Sequence, residues 1–207
     1  MKKLITITML LLLAIACKKE NNPINKFKEA VGKAKEVKQG FEGVQKVLEG
    51  SKDVEGNIER LSKLEPITSS QIKNWLPETI GNFKRTAFKI EKQMGISMVK
   101  LTFENDENKK IDITVIDGAD VGSAAVSMYL MAENASIESE DDTGYMRTET
   151  FNKHKVMITY KNDEHNEESE LRSVIAKRFL VEAKAKNLKP KELWGYVQQL
   201  KVEILDE

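Results

Sequence analysis

Cysteine is nearly missing from this chain. Its 207 residues hold one, Cys17, so no disulfide can form within the molecule. The fold must be held by its core, and a chain of this length is long enough to bury one. An excess of one charge is missing too, because 33 basic side chains face 33 acidic ones. Nucleic-acid binders want a strong basic excess, so that class is set aside. Histidine occurs twice, at His154 and His165. Neither has a cysteine partner or the His-Glu-x-x-His spacing, whereas a zinc centre needs three or four converging ligands. There is no Gly-x-Ser-x-Gly elbow, no phosphate-binding loop and no dinucleotide fingerprint. Beyond the N-terminus, no segment is apolar enough to span a bilayer.

Acidic turns recur at Asp106-Glu107, at Glu138 to Asp142, and at Asp163-Glu164 with Glu167-Glu168. Calcium favours clustered oxygen ligands, but the order of an EF-hand loop is absent and charged hairpin tips serve solubility. Asp117-Gly118 and Asp141-Asp142 offer a conceivable acid–base pair, although carboxylates at turns are common. The expectation is therefore a protein without catalysis, cofactor or metal.

The N-terminus carries the strongest signal. Lys2 and Lys3 precede an apolar run from Ile5 to Leu13, which is short for a membrane span. Ala14-Ile15-Ala16 then supplies small residues ahead of Cys17. This resembles a bacterial lipobox, with Ala14 where Leu is commoner. The resemblance implies that residues 1–16 form a signal peptide and that Cys17 is the acylated N-terminus. Two or three acyl chains, at roughly 0.8 kcal/mol per buried methylene, hold a protein firmly on a bilayer. Lys18 rather than Asp follows the cysteine. By analogy with the enteric sorting rule, this implies the outer membrane. Without Lys2 and Lys3 the remainder carries a net charge of about −2.

Residues 17–25 read as a polar lipidated tether. Residues 26–64 read as a helical spacer, with Ile24, Phe27, Val31 and Ala34 at 3,4,3 spacing and Val37, Phe41, Val44 and Leu48 continuing after a shift. Gly32, Gly40, Gly43, Gly50 and Gly56 interrupt it, each costing a helix about 1 kcal/mol against alanine. Two or three amphipathic pieces are expected. Their apolar side is free to lie on the lipid surface, on the folded domain or on a partner helix, and a solvated helical spacer is the plain reading.

Pro66 marks a boundary, and the domain is expected over 66–205. Thr68, Ser69 or Ser70 is suited to cap a short helix through Trp75, ended by Pro77 and followed by a turn at Gly81. Phe83 to Phe88 resembles Tyr145 to Phe151, and Leu101 to Asn108 resembles Ile158 to His165, in the same order. Pseudo-repeats over about 83–135 and 145–201 are expected, each strand-strand-strand-helix. Val99, Leu101 and Phe103 alternate, as do Ile111, Ile113 and Val115, so this pair reads as a hairpin with one buried face. A helix is expected from about Ser123 to Ala135. Another starts at Pro190, with Leu193, Trp194, Val197 and Leu200 as its stripe. The fold class is α+β, an antiparallel sheet with packed helices.

Trp75-Leu76-Pro77-Glu78, Gly81 and the strand opening Phe83-Lys84-Arg85 resemble a group of uncharacterised bacterial lipoproteins and periplasmic proteins. More remotely, the order of elements is similar to PsbP-like periplasmic modules. Those resemblances imply a binding or accessory role and carry no catalytic residues. Arg85 and Arg147 occupy equivalent places in the two repeats, and paired arginines can grip an anionic ligand. The ordinary alternative is that each covers the sheet with its stem and pairs with a nearby acid. Trp75 is a further candidate contact. The leading expectation is a lipid-anchored binding protein with an envelope protein partner. A carrier or sensor of a small or lipidic ligand is the alternative, with Met128 to Met131 suited to an adaptable apolar pocket. An envelope enzyme using carboxylates is third.

Overall fold

The computed structural model describes residues 54–134, 138–163 and 166–206. The signal peptide, Cys17, the tether and spacer residues 26–53, and His165 lie outside the described residues.

Nine strands form one antiparallel sheet. A first meander comprises β1 (Thr79–Ile80), β2 (Phe83–Gln93), β3 (Ile96–Glu104) and β4 (Lys110–Asp117). A second comprises β5 (Glu138–Asp141), β6 (Gly144–Phe151), β7 (His154–Asp163), β8 (Asn166–Ile175) and β9 (Phe179–Lys186). The sheet order is β1-β2-β3-β4-β9-β8-β7-β6-β5, so the two meanders join through β4 and β9 at the centre. The segment 144–197 holds four strands ahead of its helix, one more than the expected three-strand rhythm.

Alternation decides which residues point to which face. Val99, Leu101 and Phe103 pair across the ladder with Val115, Ile113 and Ile111, and these in turn with Val181, Ala183 and Ala185. All nine are buried in one cluster with Val156, Ile158 and Leu171. Two helices cover this face: α2 (Ser69–Trp75) and α4 (Pro190–Val197), followed by 3₁₀ turns at Gln198–Leu200 and Val202–Asp206. Thr68 caps α2, accepting from the Gln71 N–H while the Gln71 side chain accepts from the Thr68 N–H. Pro190 opens α4, and Leu193, Trp194, Val197 and Leu200 are buried against the sheet. Gly81 must be glycine. Its φ is +56°, and a Cβ there would lie 2.7 Å from the ring of Tyr196.

The opposite face is covered by a helix over 54–61, here α1, and by α3 (Ser123–Asn134). Leu61 joins Val126, Tyr129, Met157 and Leu180 in a second cluster. Arg60 on α1 donates to the Lys177 carbonyl at 3.0 Å. Residues 54–61, assigned to the spacer by sequence, thus pack on the sheet ahead of Pro66.

Candidate functional site

The site grows from the turn that ends β4. Asp117 is fully buried and accepts from Arg178 Nε at 2.8 Å, from Arg178 Nη2 at 3.1 Å and from the Ile67 N–H at 2.7 Å. It also accepts from the Ala119 N–H at 3.1 Å, which folds the chain back at once. Gly122 completes this bend: a Cβ there would lie 2.1 Å from the Asp117 carbonyl oxygen. A 3₁₀ turn, Asp120–Gly122, then feeds α3. The direction of α3 across the sheet is therefore set by the Asp117 turn.

The inner side of α3 carries Val126, Tyr129 and Glu133. Tyr129 donates its hydroxyl to the Arg172 carbonyl at 2.6 Å, and burial pushes its phenol well above the ordinary range. Glu133 is the helix's only charged residue and points inward. Burial pushes its carboxyl up to about 7, against the lowering effects of the Val174 N–H and Lys155. One of its oxygens, Oε1, has no hydrogen-bond partner among the described residues.

The outer side is apolar. Ala124, Met128 and Met131 share one stripe at i, i+4 and i+7, and Val121 extends it through the preceding turn. Met128 is 73% exposed and Val121 48%. The β2–β3 hairpin tip reaches the same place, because the Gly95 Cβ position lies 2.8 Å from Val121 Cγ2. Met94 at that tip is 95% exposed. An uncharged helix flank and a hairpin tip thus form one exposed apolar surface.

The residues singled out from sequence lie elsewhere. Arg85 on β2 donates to the Pro77 carbonyl at 2.6 Å and lies over the Phe88 ring. Arg147 on β6 donates to Glu149 at 2.6 Å and stacks on Tyr145, with its carbon centre 4.1 Å from the ring centre. Five strands separate β2 from β6, so the two arginines are not brought together on one anion. Trp75 packs against the core and donates its Nε1 to the Leu200 carbonyl at 2.9 Å. Asp117 and Asp141 do not converge either. Asp117 is spent on Arg178, while Asp141 is exposed on the edge strand β5, with four strands between it and β4.

His154 lies 5.7 Å from the ring of Trp194, beside an open cleft of about 360 Å³ also lined by Ala176, Gln198 and Lys201. Among the described residues, no three His, Cys, Asp or Glu side chains are grouped to hold a metal ion. Met128 and Met131 face outward, apart from the core, unlike Met157, which is buried beneath α3. Sequence reasoning missed the α3 surface as such. Its signal was present in Ser123 to Ala132, ten residues without a charge.

The fold and site together define an α+β protein on a nine-stranded antiparallel sheet with an apolar helix flank exposed. Comparison with known proteins finds no matching family model, no matching curated protein and no matching solved structure.

Proposed function

We propose that this chain is a lipid-anchored envelope protein without catalysis, held by Cys17, whose α+β domain binds an envelope protein partner. One observation carries the reading: the outer stripe of α3, with Val121 and Met94 beside it, leaves four large apolar side chains in solvent on one surface. Soluble proteins usually scatter such residues singly, and contiguous patches mark interaction sites. Methionine suits this task, since its unbranched thioether adapts to a partner's shape. The fold supports the reading in a second way. Asp117, Arg178 and the Gly122 bend fix α3 at its start, so the stripe is presented by a rigid element rather than a loop.

The test is crosslinking in the intact cell with the anchored chain and with Cys17→Ser. One abundant envelope protein captured by the anchored form, and lost when Met128 and Met131 are both changed to Ser, is the expected result. A domain that purifies alone with a small molecule or lipid bound supports the carrier reading instead, for which the cleft beside Trp194 is the place to look. Recovery of neither overturns both.

A further inference from the structure

The two borders of the sheet carry opposite charge. At one border β1 pairs with Lys84 and Phe83 alone, so among the described residues β2 from Thr86 to Gln93 has no strand on its outer side. Lys84, Lys89 and Lys92 are exposed there against one acid, Glu91, which is taken up by Lys89 at 2.6 Å and Lys100 at 2.7 Å. Hydrogen bonds from Lys100 and Lys89 hold the Glu91 carboxyl down at about 2, against the raising effect of its partial burial. At the other border β5, Glu138-Ser139-Glu140-Asp141, is exposed throughout and, among the described residues, pairs with β6 alone. Asp141 accepts from the Thr143 N–H and hydroxyl, which keep its carboxyl below the ordinary range and so ionised.

We propose that these borders are the two halves of one interface, through which the sheet of one copy of this chain continues into the sheet of a second copy. Three features fit together. First, direction: the strands alternate through all nine positions, so β5 runs opposite to β2. A second copy placed with its sheet in line therefore brings β5 beside β2 in the same antiparallel sense as every other pair in the sheet. Second, facing: Glu138 and Glu140 lie across from Arg147 and Tyr145, on the sheet face that carries Ile158 and Tyr160. Ile90 lies across from Val99 on that same face, and Lys92 follows it by two. Third, charge: when Glu140 stands opposite Ile90, Glu138 meets Lys92 on this face and Asp141 meets Lys89 on the other. Glu140 is then diagonal to Lys92, within reach of its long side chain. No like-charged pair stands directly opposite in this register.

Open borders that bear charge usually prevent pairing, because copies present the same charge to each other. Here they present opposite charges, so the device works in reverse. The contact is heterologous: the basic border of each copy is used by one neighbour and the acidic border by another. It adds backbone hydrogen bonds along about four residues and two cross-strand ion pairs. It is therefore weak and favoured where copies are concentrated in a plane. Copies that share a membrane meet that condition under the proposed anchoring, but the interface itself does not depend on it.

The test is sedimentation velocity of the full chain in a non-ionic detergent over a wide range of concentrations. The wild type is expected to associate at low salt, and to weaken by roughly tenfold or more between about 0.05 M and about 0.5 M salt, where the Debye length shrinks below the strand spacing. Two double variants are decisive: Lys89→Glu with Lys92→Glu, and Glu138→Lys with Glu140→Lys. All four positions are exposed and Glu91 keeps Lys100 when Lys89 is reversed, so both variants are expected to stay folded, with thermal melting run beside the sedimentation to check it. Each alone is expected to stay monomeric, since its two borders now carry like charge. Mixed in equal amounts they are expected to associate, because each supplies the border the other lacks. A wild type that is monomeric at every concentration at low salt overturns the proposal. So does association that survives either reversal, or a mixture that remains monomeric.

Discussion

Arg178 grips Asp117 side-on: Nε donates to Oδ1 at 2.8 Å and Nη2 to Oδ2 at 3.1 Å, with both side chains almost wholly out of solvent. The same guanidinium donates to the Glu65 carbonyl at 3.0 Å and to Asp206 at 2.9 Å. One side chain therefore ties the segment before α2, the end of β4 and the C-terminal turn together. Removing one partner of a buried pair leaves the other charged and unpaired, which costs about 3–5 kcal/mol. Arg178→Ala is expected to lower unfolding stability by that amount in urea titration. A loss under about 1 kcal/mol contradicts the role assigned to the pair.

Glu133 gives the protein a pH dependence of identifiable sign. Its folded carboxyl titrates at about 7, pushed up by burial from the ordinary 4.5. Below 4.5 the group is neutral in both states. As pH rises from 4.5 to 7 the unfolded chain ionises while the folded chain holds its proton, so stability falls, and above 7 the loss is complete. At about 1.4 kcal/mol per unit the total is about 3.5 kcal/mol. Tyr129 from the same helix and Lys155 from β7 face this carboxyl, with Arg172 and Glu182 further off around Tyr129. Glu133→Gln is expected to flatten the slope of stability against pH between these limits, and to exceed the wild type at pH above 7. Parallel slopes for the two proteins contradict this assignment.

Met128→Ser with Met131→Ser is expected to change stability by no more than about 0.5 kcal/mol, because exposed side chains away from caps and turns contribute little. Thermal unfolding checks it. A markedly destabilised double variant shows that the stripe packs within this chain rather than against a partner.

Labelling cells with an alkyne fatty acid tests the anchor. The wild type is expected to take up label and to fractionate with membranes, and Cys17→Ser to do neither. Label retained by Cys17→Ser contradicts acylation at that thiol.

Much of the fold was legible because alternation and caps are local. Val99-Leu101-Phe103 and Ile111-Ile113-Val115 declared a hairpin buried on one face, and that is β3 and β4. Pro190 and the stripe from Leu193 to Leu200 declared α4. The order of the sheet was not legible, since the joining of β4 to β9 depends on pairing across about seventy residues. For the same reason Arg85 and Arg147 looked like partners. Their local sequences match, but strand order places five strands between them. Asp117 was noticed as a turn residue and not as half of a buried pair, because nothing near Arg178 in sequence announces its partner. The outward face of α3 was obscured by composition: methionine and alanine read as core or pocket until the helix is placed and its free side is seen.

A photoreactive residue placed at Met128 of the anchored chain tests the account most directly, with the same residue at the exposed Lys191 on α4 as control. The account predicts one discrete crosslinked envelope protein from position 128, absent from position 191 and from the Cys17→Ser chain. Equal capture from both positions, or none from position 128, contradicts it.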